Sequence, residues 1–353
     1  MSSRTILVLP GDGVGPEVVE EALKVLRVVD QLSAARFNIQ TELFGGCSID
    51  AHGVPITEAV LQKAQEADAV LAGAVGGPKW GVSKVRPEDG LLQLRQSLDA
   101  YANLRTCRFP SDSLHHLSVL NNPDKVAGVD FTILRENCGG AYFGAKEEND
   151  DFASDSWAYS RAEVERISQV AIALATAADP HFAFVNETFE RDDAPHVPLS
   201  HQLADSAAML MMKNPRMFNG ILLADNTFGD ILSDEASVIP GSLGLLPSAS
   251  LSGVPGGKGV KGFYEPVHGS APDIAGRGLA NPVAAILSVA LMLRYSLCLY
   301  KEADAVEEAV RRVLDDESRG GLAARTGDIG GKSSTAEVGD AIARVLEDLL
   351  SAP

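Results

Sequence analysis

Aspartates in the stretch Leu222 to Asp234 (LLADNTFGDILSD) carry the plainest chemical signal in this chain. An apolar run opens there into a loop and then a helix bearing Asp230 and Asp234, with Asp225 just upstream. Carboxylates at i and i+4 share one helix face and repel each other, unless a divalent cation that prefers hard oxygen ligands lies between them. Mg2+ or Mn2+ is the expected guest. The same acids also suit an exposed helix start, where they favour the helix dipole without any ligand. Their spacing alone leaves both readings open.

Three arginines form the second group. Val129 to Leu134 (VDFTIL) reads as a strand that delivers Arg135 at its end. Leu91, Leu94, Leu98 and Tyr101 follow helical spacing, with Arg95 off that stripe and Arg105 in the adjoining YANLR segment. Guanidinium groups near element ends could converge on a substrate carboxylate by bidentate pairing, although each taken singly also suits a solvated surface. Tyr142 lies in a glycine-flanked stretch, Cys138 to Gly144 (CGGAYFG), and Asp205 stands just before an apolar helical run in Gln202 to Met212.

The elements that must hold these groups alternate strand and helix. Thr5 to Leu9 reads as a buried strand, Gly11 to Pro16 (GDGVGP) as a tight turn, and a helix follows to about Val29 with Pro16 at its first position. A strand, glycine-rich loop and helix in that order suit a nucleotide site. The spacing is nevertheless not the Rossmann fingerprint, because the third glycine comes one residue early and Pro16 replaces the last. Ile56 to Ala67, with Thr57 as cap, is a second helix, and Ala69 to Ala74 a second buried strand. Glu147 to Asp155 is an acidic exposed loop or arm, and Ser160 to Glu163 a capping box that opens a helix. Asn281 opens a long apolar helix, Pro282 to Leu299.

At 353 residues and 45% apolar content the chain can bury a full core and form two domains or two lobes. A formal charge of −18 argues against nucleic acid or an anionic membrane as partner. Cys47, Cys107, Cys138 and Cys298 show neither CxxC spacing nor histidine pairing, so reduced thiols are expected. No run reaches membrane-spanning length, and MSSRTILVLPGD lacks signal-peptide form, which places the chain in the cytoplasm as an expectation.

GDGVGPEV, GAVGGPKW, LRQSLDAYANLR, FGDILSDEASVIPGSLGLLPSASL and YEPVHGSAPDIAG, in that order, resemble the isocitrate/isopropylmalate dehydrogenase family. Within it they are most similar to the 3-isopropylmalate dehydrogenases of leucine biosynthesis, and RENCGGAYFG and LADNTFGD resemble a fungal branch. The resemblance implies a two-lobed α/β fold unlike Rossmann. Residues 1–103 and 258–353 would form a large cofactor-binding lobe, and 104–257 a small lobe with the dimer interface and metal site. It also implies a homodimer with shared active sites, a 3-substituted malate as substrate, NAD, and Mg2+ or Mn2+. Arg95, Arg105 and Arg135 would bind malate carboxylates, while Asp230, Asp234 and Asp205 donated by the partner would hold the metal. Tyr142 would protonate the enol, and Glu88, Leu91 and Leu92 would face the C3 substituent and nicotinamide. Glu265, His268, Gly269, Ser270, Ala271, Asp273 and Asn281 would hold the cofactor, with Asp273 on the adenosine ribose.

One segment departs from the family pattern. The resemblance implies a catalytic Lys in an Asp-Lys-Ala-Asn segment ahead of Asp205, but this chain has no Lys between Lys146 and Lys213. Ungapped comparison places Glu187 there, and the segment His181 to Ser200 is short by about one helix. Three readings stand at this point: an enzyme in which water or Asp205 replaces the Lys or which takes another 3-substituted malate; a partner subunit completed by an intact sister; or a coding sequence altered in this segment.

Overall fold

The structure, a computed structural model, describes residues 3–81, 84–178, 182–185 and 197–351. Glu187 and most of the shortened 181–200 segment lie outside the described residues. Among the described residues the strands are β1 (Arg4–Leu9), β2 (Phe37–Thr41), β3 (Ala69–Ala72), β4 (Ala102–Arg108), β5 (Asp130–Glu136), β6 (Lys146–Glu148), β7 (Ala153–Asp155), β8 (Phe182–Val185), β9 (Leu199–His201), β10 (Gly220–Ala224), β11 (Pro247–Leu251) and β12 (Gly262–Pro266). The helices are α1 (Gly15–Leu32), α2 (Gly46–His52), α3 (Glu58–Glu66), α4 (Pro87–Ser97), α5 (Pro123–Val126), α6 (Arg161–Ala178), α7 (Ala204–Lys213), α8 (Asn226–Ser237), α9 (Val283–Tyr295), α10 (Tyr300–Leu314) and α11 (Thr335–Ser351).

One ten-stranded sheet runs through the molecule in the order β2-β1-β3-β12-β11-β4-β5-β10-β8-β9, and β6 and β7 form a separate exposed hairpin. Pairing is parallel in both wings and antiparallel where β11 meets β12 and β4, and where β4 meets β5. Strands such as β1 and β3 are apolar on both faces because helices cover both sides.

The two faces are filled differently. On one, Ile6, Val8, Leu71, Tyr264, Ala249, Leu104, Leu134 and Leu223 contribute to a single cluster with α1, α6, α9, α10 and α11. The other face carries two separate clusters. Leu7, Leu9, Val70 and Phe263 belong to the first, and Phe131, Ile133, Leu222 and Cys107 to the second. Between them lies a polar row: Ser248 of β11 pairs with Glu265 on one side and Arg105 on the other, and Ser250 and Asn103 follow two residues along. Buried Asn103 donates to Ser248 Oγ and Ser250 Oγ, both at 3.0 Å, and so satisfies hydroxyls that would otherwise be stranded. Apolar packing is interrupted here, and the interruption is where the candidate site lies.

Several sequence expectations need correction. The loop expected between the apolar run and the aspartate helix shrinks to Asp225, because β10 ends at Ala224 and α8 starts at Asn226. Arg135 lies within β5, one residue before its end. The helix bearing Arg95 stops at Ser97, and Asp99 takes a left-handed φ of 47°, so Tyr101 belongs to the approach to β4. The expected Pro282 to Leu299 helix ends at Tyr295. Cys298, at φ 54°, turns the chain into α10. Thr57 does cap α3, accepting from Val60 N, and Ser160 and Glu163 form the reciprocal capping box.

Candidate active site

Asp225 follows β10 and caps α8: its backbone is extended and its carboxylate accepts from Phe228 N at 2.9 Å. Burial raises its pKa, and the N–H donors of Phe228 and Thr227 work against that rise. Asp225 is thus a structural cap, while Asp230 and Asp234 one and two turns later meet the polar row. The register Ala224↔Arg135 and Asn103↔Arg135 sets Arg135 under the first turn of α8 and beside β4.

Asp230 is the hub. Its Oδ1 pairs with Arg135 Nη1 and lies 3.8 Å from Arg105 Nη2, and its Oδ2 accepts from the Tyr142 hydroxyl at 2.6 Å. Arg105 also reaches Asp234 Oδ1 at 2.9 Å and Ser233 Oγ at 3.0 Å, so one guanidinium spans the i and i+4 carboxylates. Arg135 is buried, and desolvation, aided by the nearby charges of Arg105 and Arg95, depresses its pKa to about 10. It remains cationic at neutral pH. The hydrogen bond to Asp230, followed by burial, raises the Tyr142 pKa, so the phenol keeps its proton. Tyr142 is 49% exposed and therefore open to a ligand.

Arg95 joins from the other side of the row, donating to Glu265 Oε1 at 2.9 Å, with both side chains largely shielded from solvent. Its Nε is buried with no partner among the described residues. On the same helix Leu91 is half-buried, whereas Glu88 and Leu92 are exposed. A Cβ on Gly76 would lie 2.6 Å from Glu88 Oε1, which puts that carboxylate over the VGGPKW turn. Asp205 does not join the cluster. It is exposed on α7 and accepts from Ser206 N at 2.7 Å. Among the described residues no three His, Cys, Asp or Glu groups converge as a metal site. The hard-oxygen pair on α8 therefore fits part of a divalent-cation shell and needs donors from elsewhere.

The glycine-rich turn after β1 is not an open phosphate cradle. Asp12 is buried and accepts from the backbone N–H groups of Gly46 (2.7 Å), Cys47 (2.8 Å) and Gly76 (2.9 Å), so the turn supplies its own anion. A Cβ on Gly13, whose φ is +59°, would lie 2.0 Å from the Ser270 carbonyl, which also accepts from Val14 N at 2.8 Å. Glu17 receives N–H donors from Gly276 and Gly278. This turn is a buttress for the 266–281 loop.

That loop has the character of a ligand site. His268 Nδ1 donates to the Gly269 carbonyl at 2.9 Å, leaving Nε2 as a buried acceptor with no partner among the described residues, and burial lowers the ring's pKa. Gly269 faces open space, Asp273 is exposed, and Ala271 has a left-handed φ of 38°. Asn281 is buried, donating to Asp328 at 3.0 Å and accepting from Val283 N at 3.1 Å. A buried acceptor and an exposed carboxylate on one loop suit the amino and hydroxyl donors of a nucleotide.

Sequence reasoning passed over Asn226, Tyr159, Asn103, Ser233 and Asp12. Asp12 alone gave a signal, a carboxylate between glycines at a strand-to-helix turn. The others are polar residues whose use depends on neighbours distant in sequence.

The mixed sheet thus gathers arginines, i and i+4 aspartates and a tyrosine on its open face, with the 266–281 loop alongside. The family model described as isocitrate/isopropylmalate dehydrogenase matches residues 5–342, and the chain belongs to that family. Among its relatives, 3-isopropylmalate dehydrogenase of Hapsidospora chrysogena is 53% identical, covering 98% of this chain and 97% of the relative. The enzyme of that name from Sordaria macrospora is 50% identical over the full length of both. The resemblance to fungal members is thus borne out. Of solved structures, isocitrate dehydrogenase from Methylococcus capsulatus superposes with a TM-score of 0.81 at 28% identity, covering 98% of this chain and 99% of that one. A beta-decarboxylating dehydrogenase from Thermococcus kodakarensis gives 0.78 at 34%, covering 99% and 97%. The Sordaria alignment runs over 376 positions against 353 residues here, so that relative carries residues without counterpart in this chain.

Proposed function

We propose that the chain catalyses NAD-dependent oxidative decarboxylation of 3-isopropylmalate to 2-oxoisocaproate in leucine biosynthesis, as a cytoplasmic homodimer. The observation that carries this is the convergence of Arg135, Arg105 and Tyr142 on the single carboxylate of Asp230. Cations suited to substrate carboxylates, a hard-oxygen ligand and a protonated phenol meet there at one point.

Arg95, Arg105 and Arg135 bind and orient the malate carboxylates, and the shielding of Arg95 and Arg135 from solvent strengthens those pairs. Asp230 and Asp234, with Asp205 of a second copy, would hold Mg2+ or Mn2+, and Glu265, His268, Gly269, Ser270, Ala271, Asp273 and Asn281 would hold NAD. When bound, these groups supply Lewis-acid polarisation of the hydroxy acid and an acceptor for its hydride. Tyr142 Oη delivers a proton to the substrate carbon from which carbon dioxide departs, and its raised pKa keeps that proton available at neutral pH. Glu88, Leu91 and Leu92 would face the C3 substituent and the nicotinamide.

Two lobes, 1–103 with 258–353 and 104–257, would close over this site, and the division of the open face into two apolar clusters supports that arrangement. Pairing through the smaller lobe is supported by the exposed apolar side chains Leu203, Met209, Ile231 and Val238 on or beside α7 and α8. The test is a steady-state assay with 3-isopropylmalate, NAD and Mg2+, following NADH absorbance and carbon dioxide together. Equimolar release of both is expected, and NADH without carbon dioxide would overturn the proposal.

A further inference from the structure

We infer that Asn226 is a positioning residue that holds the Arg135 guanidinium and the Tyr142 turn in one fixed relation, an inference that rests on the reaction proposed above. Asn226 is 1% exposed and opens α8 directly after the Asp225 cap. Its Oδ1 accepts from Arg135 Nε at 2.9 Å, and its Nδ2 donates to the Gly139 carbonyl at 2.8 Å. The amide orientation follows from chemistry, since a guanidinium can only donate and a carbonyl can only accept.

These contacts close a ring. From Asn226 one arm runs through Arg135 to Asp230 Oδ1, and the other through Gly139 and the Gly140–Tyr142 turn to Asp230 Oδ2. Asn226 and Asp230 stand at i and i+4 on α8, so a rigid helical turn fixes the distance between the two joints. The Tyr142 turn is further held by Tyr159, whose hydroxyl accepts from Asn226 N at 2.9 Å. A Cβ on Gly139 would lie 2.5 Å from the Tyr159 ring, and one on Gly140, at φ +70°, would lie 2.3 Å from its hydroxyl.

The two joints differ in what a ligand does to them. Asp230 is the exchangeable joint, because a cation or a substrate carboxylate competes for the same charges. Asn226 is neutral and buried, and neither ligand has reason to displace it. When Asp230 is engaged, Asn226 therefore keeps the carboxylate-binding arginine and the proton-donating phenol in register. Only a side chain with one acceptor and one donor can serve both arms: aspartate keeps the arginine arm and places an oxygen against the Gly139 carbonyl, whereas alanine loses both.

The test compares Asn226→Asp and Asn226→Ala with the unaltered protein, reading amide hydrogen exchange over Gly139 to Gly144 as well as kcat and KM for 3-isopropylmalate. In Asn226→Asp the Phe143 and Gly144 amides, which bond to the Gly140 carbonyl, should exchange at least about tenfold faster, and kcat should fall more than KM rises. In Asn226→Ala KM should rise by a further factor of about ten, because Arg135 Nε loses its acceptor. Unchanged exchange in the isosteric Asn226→Asp protein, or equal KM values in the two variants, would overturn the inference. Should Asn226→Ala not fold, the exchange in Asn226→Asp still decides. If the unaltered chain gives no turnover, the reaction fails as proposed, while the exchange measurement still tests the ring.

Discussion

The turn after β1 and the turn after β10 are built alike, each taking a buried apolar strand into a helix with an aspartate at the junction. In the first, Asp12 is locked by three backbone N–H groups drawn from two other turns. In the second, Asp225 caps α8, and Asp230 and Asp234 lie one and two helical turns further, held by arginine and tyrosine side chains. A carboxylate fixed by backbone donors cannot change partners without loss of the local fold. One fixed by arginine and tyrosine side chains exchanges partners by rotamer changes, which is what a ligand site requires. The glycine-rich turn thus resembles a nucleotide site yet is held as scaffold, whereas the acidic helix resembles a solvated surface and, in the reaction proposed, would carry the exchangeable carboxylates.

The largest expected effect tests the working side. Tyr142→Phe removes the hydroxyl that donates to Asp230 Oδ2, and kcat should fall by about 10² to 10⁴ with NAD affinity unchanged. A loss below a few-fold in stopped-flow and steady-state assays would take Tyr142 out of the proton step. The next effect concerns the nucleotide loop: exposed Asp273 would accept from a ribose hydroxyl and repel a 2′-phosphate, favouring NAD over NADP by a few kcal/mol at most. Equal dissociation constants by calorimetry would contradict that role.

A smaller gain is expected from repair. In the proposed roles the arginines, aspartates and 266–281 loop would act on ground and transition states alike, whereas a Lys at the hydroxyl proton would act mainly in the reaction step. Restoring an Asp-Lys-Ala-Asn segment with its helix should therefore raise kcat by about tenfold or more with little change in KM. Glu187→Lys alone should recover less, since the segment stays short. An unaltered chain that already turns over as fast as the repaired one would show that the Lys is dispensable here.

Much of this contrast is legible in sequence, and the gaps have physical causes. The i and i+4 acids and the three arginines are visible because charged residues stand out against apolar runs, and Tyr142 because glycines flank it. β4 is harder to read: its alternation places Asn103 and Arg105 on the open face, so a central strand looks polar. β11 (PSASL) is buried throughout but built from Ser and Ala, which gives little hydropathy signal. β2 is an edge strand with partly exposed residues. Asn226 gives no signal of its own, because an amide's value lies in two partners, Arg135 and Gly139, about ninety residues away in sequence.

The contrast between the two turns is tested most directly by titrating Mn2+ into the intact protein, with free Mn2+ followed by electron paramagnetic resonance for the unaltered chain, Asp230→Asn and Asp12→Asn. Asp230→Asn should weaken binding at least about tenfold, since one of two anionic donors on α8 is lost. Asp12→Asn should bind Mn2+ as the unaltered chain does, yet unfold at lower temperature, because an amide N–H then faces buried donors at a cost of about 1–3 kcal/mol. Identical titrations for Asp230→Asn and the unaltered chain, or loss of Mn2+ binding in a folded Asp12→Asn protein, would contradict the assignment of exchangeable and fixed carboxylates.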